Sequence, residues 1–160
     1  RQWSRGLGDV YKRQIFNVVK KEFNIDLNKA DFFAGHSLGE YSALSCAGYI
    51  KFSDALKVLK VRGDAMQNAV PKGIGGMIAI LATTIKVVEN IIFSNKKNCN
   101  VQIANDNSEG QIVVSGKLKD LDIFAEILKS QGIRNIKLPV SAPFHCKLMS
   151  EATKLSLIHI

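Results

Sequence analysis

The stretch FFAGHSLGEYSAL, residues 32–44, places one serine between two glycines directly after an apolar run. Gly35, Ser37 and Gly39 form a G-x-S-x-G pattern, which between a strand and a helix is typical of a nucleophile elbow. Glycine on both sides lets the backbone turn sharply, so the Ser37 hydroxyl would project from the turn. A helix starting near Leu38 would direct free N–H groups at the same point, which makes the Leu38 N–H a candidate oxyanion donor. The structural alternative is a turn in which the serine only caps the helix.

A serine hydroxyl needs a base before it can act as a nucleophile. His36 is adjacent to Ser37 in sequence, so its side chain is expected to point away from the serine oxygen. His145, within LPVSAPFHC, is the remaining candidate. On residue type alone, a structural role for His145 stays open, and no acidic residue is marked by spacing as its orienting partner.

The two ends of the sequence differ in kind from the rest. Residues 155–160 read LSLIHI and can be encoded by CTG TCT CTT ATA CAC ATC. The reverse complement of that DNA encodes DVYKRQ, which is residues 9–14. Such a relation is typical of a sequencing-library adapter, so we expect residues 1–14 and 155–160 to be adapter-derived and non-native. Different codons at the two ends of the gene would contradict this expectation.

Composition places the chain among globular proteins, with 46% hydrophobic and 22% charged residues. The net charge is +8, and without the two terminal segments 18 basic and 13 acidic residues leave +5. The lysines are dispersed, which indicates a solvated surface, with an acidic partner or a phosphate-bearing ligand as the alternative. No apolar run approaches the about 20 residues of a membrane span, and no interleaving of aromatic and basic residues suggests nucleic acid.

The cysteines indicate a reducing compartment. Cys46, Cys99 and Cys146 are odd in number and lack C-x-x-C spacing, which argues against a disulfide framework or a zinc site and for a cytoplasmic protein. Each is expected to be a small buried residue.

The elements that would position Ser37 form a first lobe. The patterns predict a helix over 15–23, a short strand over 31–34 and a helix over 40–47 closed by Gly48. Ser53 and Asp54 can cap a further helix whose face carries Leu56, Leu59 and Met66. Proline and glycines between residues 71 and 76 mark a lobe boundary. The GIGGM within that break resembles a phosphate loop, but a phosphate loop follows a strand, and this one precedes a strand.

A second lobe is predicted after this break. Strands are expected over 76–81, 100–104, 111–115 and 133–140, helices over 85–93 and 121–129, and a polar turn at NDNSEG, residues 105–110. The order β-α-β-β-α-β is that of a ferredoxin-like lobe, with helices on one face of an antiparallel sheet.

Four motifs in order carry a resemblance to a known family. They are GHSLGEYSAL at 35–44, RGDAMQ at 62–67, ANDNSEGQIVVSG at 104–116 and LPVSAPFHCKLM at 138–149. Together they resemble the malonyl-CoA:acyl carrier protein transacylases of type II fatty acid synthesis, over nearly all of residues 15–154.

The resemblance implies a role for each matching residue. Ser37 would be the nucleophile that becomes malonylated, His145 its base, and the Leu38 N–H half of the oxyanion hole. Arg62 would pair with the free malonyl carboxylate, for which bidentate guanidinium geometry is suited. Phe144 matches the malonyl-selective form of the family. Asn105 and Asn107 match an asparagine-bearing loop beside the site, although asparagine in a turn needs no functional reason.

The resemblance also implies a fold and a fragment. The fold class expected is α/β, a partial α/β-hydrolase-like core (15–72, resumed at 141–154) with an inserted ferredoxin-like lobe (73–140). The family's N-terminal oxyanion glutamine and the C-terminal segment that orients the histidine have no match here. We therefore expect an internal fragment that is unstable or inactive alone.

The implied activity is transfer of malonyl from coenzyme A to the carrier's phosphopantetheine thiol, without metal or redox cofactor. The implied partners are malonyl-CoA and acyl carrier protein, with no nucleic acid or membrane, for a full-length monomer. Three alternatives remain: an acyltransferase domain of a polyketide or multidomain fatty acid synthase, a serine esterase or lipase, and a binding module without catalysis.

Overall fold

The computed structural model describes the backbone of residues 14–159 and the side chains of residues 14–154 except Asn28. The expectation for residues 1–14 therefore lies almost wholly outside the described residues. The chain divides into two compact units, one up to Val61 and one from Arg62 onward. Each unit contains one of the two candidate catalytic side chains.

The first unit is helical. Helix α1 covers residues 14–22, a short 3-10 turn follows at Leu27–Lys29, and α2 is Gly39–Cys46. Gly48 has a φ of +83° and follows α2, as expected of a glycine that closes a helix. The helix predictions over 15–23 and 40–47 are thus correct to within a residue.

The strand predicted over residues 31–34 is wrong for the described chain, since this segment has no regular secondary structure. A strand exists only when a second strand pairs with it. Among the described residues, every strand lies beyond residue 74. The apolar pattern is therefore present without the pairing that would make it a strand.

Helix α3 is Phe52–Asn68 and begins before the predicted cap. Asp54 consequently lies in its first turn, where a carboxylate suits the positive end of the helix dipole. The predicted apolar face is only partly correct, because Leu56 is 51% exposed whereas Ala55 is buried.

The second unit contains a four-stranded antiparallel sheet. Its elements in chain order are β1 (Gly75–Leu81), α4 (Ile85–Ser94), β2 (Val101–Ser108), β3 (Gln111–Lys117), α5 (Leu118–Ser130) and β4 (Asn135–Lys137). The strands lie in the order β2-β3-β1-β4, and every neighbouring pair is antiparallel. A 3-10 turn at Lys147–Met149 then leads into α6, Ser150–His159.

Two strand boundaries differ from the sequence predictions. The polar run NDNSEG is not a turn in full, because β2 continues through Ser108 and only Glu109 and Gly110 connect it to β3. β2 is an edge strand with irregular register, and its backbone pairs with β3 on one side only. Polar residues are tolerated in such an edge strand. β4 covers three residues of the predicted 133–140.

The two faces of this sheet have different partners. Ile78, Ile80 and Val114 pack beneath the helices with Phe124 and Leu128. On the opposite face Met77, Ala79 and Val113 pack against the segment after β4, including Leu138, Val140 and Phe144. The alternation of side chains along β1 therefore anchors the segment that leads to His145.

Candidate active-site elements

The turn at Ser37 shares one feature with a nucleophile elbow, a left-handed backbone at the serine. Ser37 adopts a φ of 53°, a left-handed conformation that costs a non-glycine residue about 1–2 kcal/mol. Such strain is characteristic of functional positions. The Ser37 side chain is half-buried.

The two glycines of the pattern differ in whether the turn requires a residue without a side chain. A Cβ on Gly35 would lie 1.9 Å from the Gly39 carbonyl oxygen, so position 35 accepts only glycine in this turn. A Cβ on Gly39 would meet nothing within 4 Å. The sequence prediction that both glycines allow the turn therefore has a steric basis at Gly35 alone.

Helix α2 starts directly from this turn. The Gly39 N–H donates to the His36 carbonyl at 2.9 Å, and the Glu40 N–H donates to the Ser37 carbonyl at 3.1 Å. Leu38, and not Ser37, occupies the N-cap position. Among the described residues no hydrogen bond from the Leu38 N–H is found. This donor at the positive end of α2 is suited to stabilising an oxyanion.

Arg62 and His145 share one groove in the second unit. The groove has a volume of about 620 Å³, and its lining also includes Gln102 and Lys147. Arg62 is half-buried on α3 and His145 is exposed. Lys154 lines the groove as well and pairs with Glu151 at 2.8 Å. The cationic side chains that line this groove suit an anionic ligand.

The loop that carries His145 is tightly held. His145 itself has a φ of 58°, while Ala142 and Pro143 before it are buried. A Cβ on Gly75 would lie 2.4 Å from Pro143 Cγ, so this glycine allows the loop to approach β1 closely. The Cys146 thiol donates to the Pro143 carbonyl at 3.1 Å.

Phe144 is half-buried next to the candidate base. It packs against the cluster of Val70, Ala142 and Met149 and also against the sheet face that contains Met77. These contacts give Phe144 a packing role, and its predicted role in substrate selectivity stays a prediction.

The asparagines are not brought to this groove. Asn105 is half-buried and pairs with Val113 in the ladder, and Asn107 is exposed near the end of β2. Neither lines the groove that contains Arg62 and His145 within the described chain. The sequence analysis did not identify Gln102 or Lys147 as site residues. The signal for Gln102 is its position as the one polar residue in the run VQIA, and Lys147 has no comparable signal.

The cysteines differ in environment. Cys99 is 4% exposed, and burial together with the nearby negative charge of Asp120 raises the pKa of its thiol. Its expected role as a small buried residue is confirmed. Cys46 and Cys146 are only half-buried, so the same expectation is wrong for them.

The described side chains, those of residues 14–154 except Asn28, include no group of three histidine, cysteine or acidic residues that could hold a metal ion. Each helix described within residues 14–159 is too short or too polar to cross a lipid bilayer.

A family model for the acyl transferase domain matches residues 28–158, so the chain belongs to the acyl transferase domain family. Within that family it is similar to curated malonyl CoA-acyl carrier protein transacylases. It is 45% identical over 126 residues to that of Bacillus subtilis strain 168, covering 78% of this chain and 40% of the relative. It is 40% identical over 141 residues to that of Haemophilus influenzae, covering 88% of this chain and 45% of the relative.

Solved structures give the same result. The malonyl CoA-acyl carrier protein transacylase from Clostridium perfringens is 43% identical, with a TM-score of 0.82 over 90% of this chain and 45% of that one. A further structure shows a type II polyketide synthase acyl-carrier protein in complex with its malonyl-transacylase. The matching chain is 36% identical, with a TM-score of 0.79 over 90% of this chain and 46% of that one. The resemblance inferred from four motifs is confirmed, and the chain spans less than half the length of these relatives.

Proposed function

We propose that the protein containing this chain is an acyl-carrier-protein S-malonyltransferase of fatty acid biosynthesis. The observation that carries the proposal is Ser37, held at a φ of 53° at the start of α2, in a chain similar to malonyl transacylases. Malonyl moves from coenzyme A to the Ser37 oxygen and then to the phosphopantetheine thiol of acyl carrier protein.

The proposed reaction has two balanced steps. In the first, His145 accepts the Ser37 hydroxyl proton, the oxygen attacks the thioester carbonyl, and the departing coenzyme A thiolate takes the proton. In the second, His145 accepts the carrier thiol proton, the sulfur attacks the serine ester, and the proton returns to Ser37. The Leu38 N–H stabilises the oxyanion in both steps. The mechanism requires the imidazole to reach the Ser37 oxygen during acylation.

Arg62 is proposed to select the substrate by binding the free malonyl carboxylate. Its position in the same groove as His145 supports this role, because the carboxylate lies only a few bonds from the reacting carbonyl. A half-buried guanidinium can bind a carboxylate through two parallel hydrogen bonds. Phe144, Asn105 and Asn107 are proposed as further substrate-site residues by family resemblance alone.

The finer fold assignment is part of the proposal. The β-α-β-β-α-β order and the strand order β2-β3-β1-β4 support a ferredoxin-like lobe over residues 73–140. We infer that this lobe is inserted into an α/β-hydrolase-like core, to which residues 15–72 and 141–154 contribute.

The partners follow from the proposed reaction. Malonyl-CoA is the donor substrate and acyl carrier protein the acceptor, and the carrier complex of a 36% identical transacylase supports the second partner. The chemistry needs no metal or redox cofactor, since proton transfer and oxyanion stabilisation account for both steps. We infer a cytoplasmic monomer that binds neither nucleic acid nor membrane.

The proposal is tested by incubating the complete gene product with malonyl-CoA and measuring its intact mass. We expect a gain of one malonyl group, located on Ser37 by peptide sequencing, and its loss when acyl carrier protein bearing phosphopantetheine is added. A folded protein that gains no mass would contradict the acyl-enzyme mechanism. Hydrolysis of neutral esters at a higher rate than malonyl transfer would favour the esterase alternative.

Replacing Arg62 with alanine is expected to lower kcat/KM for malonyl-CoA about 10- to 100-fold, as loss of a hydrogen-bonded charged partner predicts. Acetyl-CoA lacks the carboxylate, so its kcat/KM should change little. Arg62→Lys should recover only part of the loss, because lysine cannot bind a carboxylate bidentately. Steady-state rates with both donors measure the effect, and Lys60→Ala on the exposed side of the same helix is the control. An equal loss for both donors would assign Arg62 a structural role.

A further inference from the structure

One long-range hydrogen bond beside His145 has no role in the reaction described so far. The backbone N–H of Lys147 donates to the side-chain carbonyl oxygen of Gln102 at 2.7 Å, across 45 residues of sequence. Gln102 is the second residue of β2, and Lys147 begins the 3-10 turn two residues after His145. We call residues 141–147 the histidine loop. The bond fixes the C-terminal side of this loop to the edge of the sheet.

The histidine loop needs such a connection. Its left-handed backbone at His145 is unfavourable for a side chain with a Cβ. The bonds from the Phe144 N–H to Ala142 and from the Cys146 thiol to Pro143 connect the loop only to itself. They define its local shape but do not fix its position on the sheet.

The loop is also connected on its N-terminal side. The Ser141 hydroxyl and the Gln67 side-chain carbonyl of α3 lie 3.0 Å apart and form a hydrogen bond. One glutamine therefore holds the loop four residues before His145, and another holds it two residues after.

Packing alone leaves the C-terminal side of the histidine loop room to move. A cavity of about 120 Å³ is lined by Gln102, Ser115, Cys146 and Lys147, among others. Loss of the Gln102 acceptor would leave the Lys147 N–H without its partner beside this space. The loop could then shift toward the cavity and carry the imidazole away from the groove.

We propose that Gln102 is a positioning residue, which holds the histidine loop so that the His145 imidazole faces the groove shared with Arg62. The inference rests on the proposed function for its consequence in catalysis. Gln102 acts through His145 and takes no part in proton transfer. A displacement of about 1 Å in a catalytic group can lower the rate about 100-fold.

The test compares Gln102→Leu with Gln102→Glu in the complete gene product. Leucine removes the acceptor at similar size, and we expect kcat for malonyl transfer to fall about 10- to 100-fold. KM for malonyl-CoA should change less than about 3-fold, since Arg62 is untouched. Glutamate keeps an acceptor oxygen and should restore most of kcat. Gln131→Leu, at the exposed C-terminal end of α5, is the matched control and should behave as wild type.

A second readout does not depend on activity. Hydrogen exchange at the Lys147 amide should be about 10-fold or more faster in Gln102→Leu than in wild type and near wild type in Gln102→Glu, because the bond protects this amide. Wild-type kcat in Gln102→Leu would overturn the proposal, whether or not exchange changes. If Gln102→Leu does not fold, Gln102→Ala takes its place, with the same expected fall in kcat and the same loss of protection at the Lys147 amide; wild-type kcat in that variant overturns the proposal. A wild-type protein that forms no malonyl adduct refutes the proposed function instead, and the exchange comparison still decides whether Gln102 holds the loop.

Discussion

Replacing Ser37 with alanine is expected to abolish the malonyl adduct and to lower malonyl transfer about 10⁴-fold or more, as for other enzymes that lose their serine nucleophile. The alanine side chain has no atom that can form the ester, so both proposed steps are lost. The fold should be retained, because alanine keeps the same Cβ in the left-handed turn and removes only the hydroxyl of a half-buried side chain. Intact-mass measurement after incubation with malonyl-CoA and a carrier-transfer assay give the two readouts.

The control for this variant is Ser53→Ala in the first turn of α3, an exposed serine outside the proposed site. It should form the adduct at the wild-type rate. A Ser37→Ala protein that still gains one malonyl group would move the nucleophile to another residue. Ser37→Cys keeps a nucleophile at the same position, and a thioester adduct on it would confirm that the elbow presents the reacting atom.

Replacing His145 with alanine is expected to lower the rates of acylation and of transfer to the carrier about 10³- to 10⁵-fold, because the same base serves both steps. The adduct on Ser37 should still form at long incubation times, since the oxyanion donor and Arg62 remain. Stopped reactions at a series of times, read by intact mass, separate slow acylation from none. This outcome distinguishes His145 from Ser37, whose loss removes the adduct at all times.

His36→Ala is the informative comparison, because His36 is the nearer histidine in sequence. Its side chain is exposed, and we expect its removal to lower transfer less than about 10-fold. A larger loss in His36→Ala than in His145→Ala would assign the base to the adjacent histidine and would contradict the proposed mechanism.

The local features of the candidate site were predictable from sequence. The G-x-S-x-G pattern and the alanine-rich segment after it predicted the turn and α2 to within a residue. The order of strands and helices from residue 75 to residue 137 was also predicted correctly. Both depend on interactions between residues close in sequence, namely glycine sterics, hydrophobic periodicity and helix propensity.

The errors share a different origin. The strand predicted over 31–34 requires a pairing partner, and no strand of the described chain pairs with it. The run NDNSEG is polar enough for a turn, yet it continues β2 because an edge strand tolerates polar residues. Asn105 and Asn107 lie on β2 and do not line the groove with Arg62 and His145, and their role at the substrate site stays a prediction.

The sequence by itself determined the chemical groups, namely a serine in a glycine-flanked turn, a histidine, and an arginine suited to a carboxylate. Only the tertiary structure placed Arg62 and His145 in one groove and connected Gln102 to the histidine loop. The reason is the range of the interactions. A turn is decided by the sterics of a few neighbouring residues, but a hydrogen bond across 45 residues exists only after the sheet has formed and the loop has packed on it.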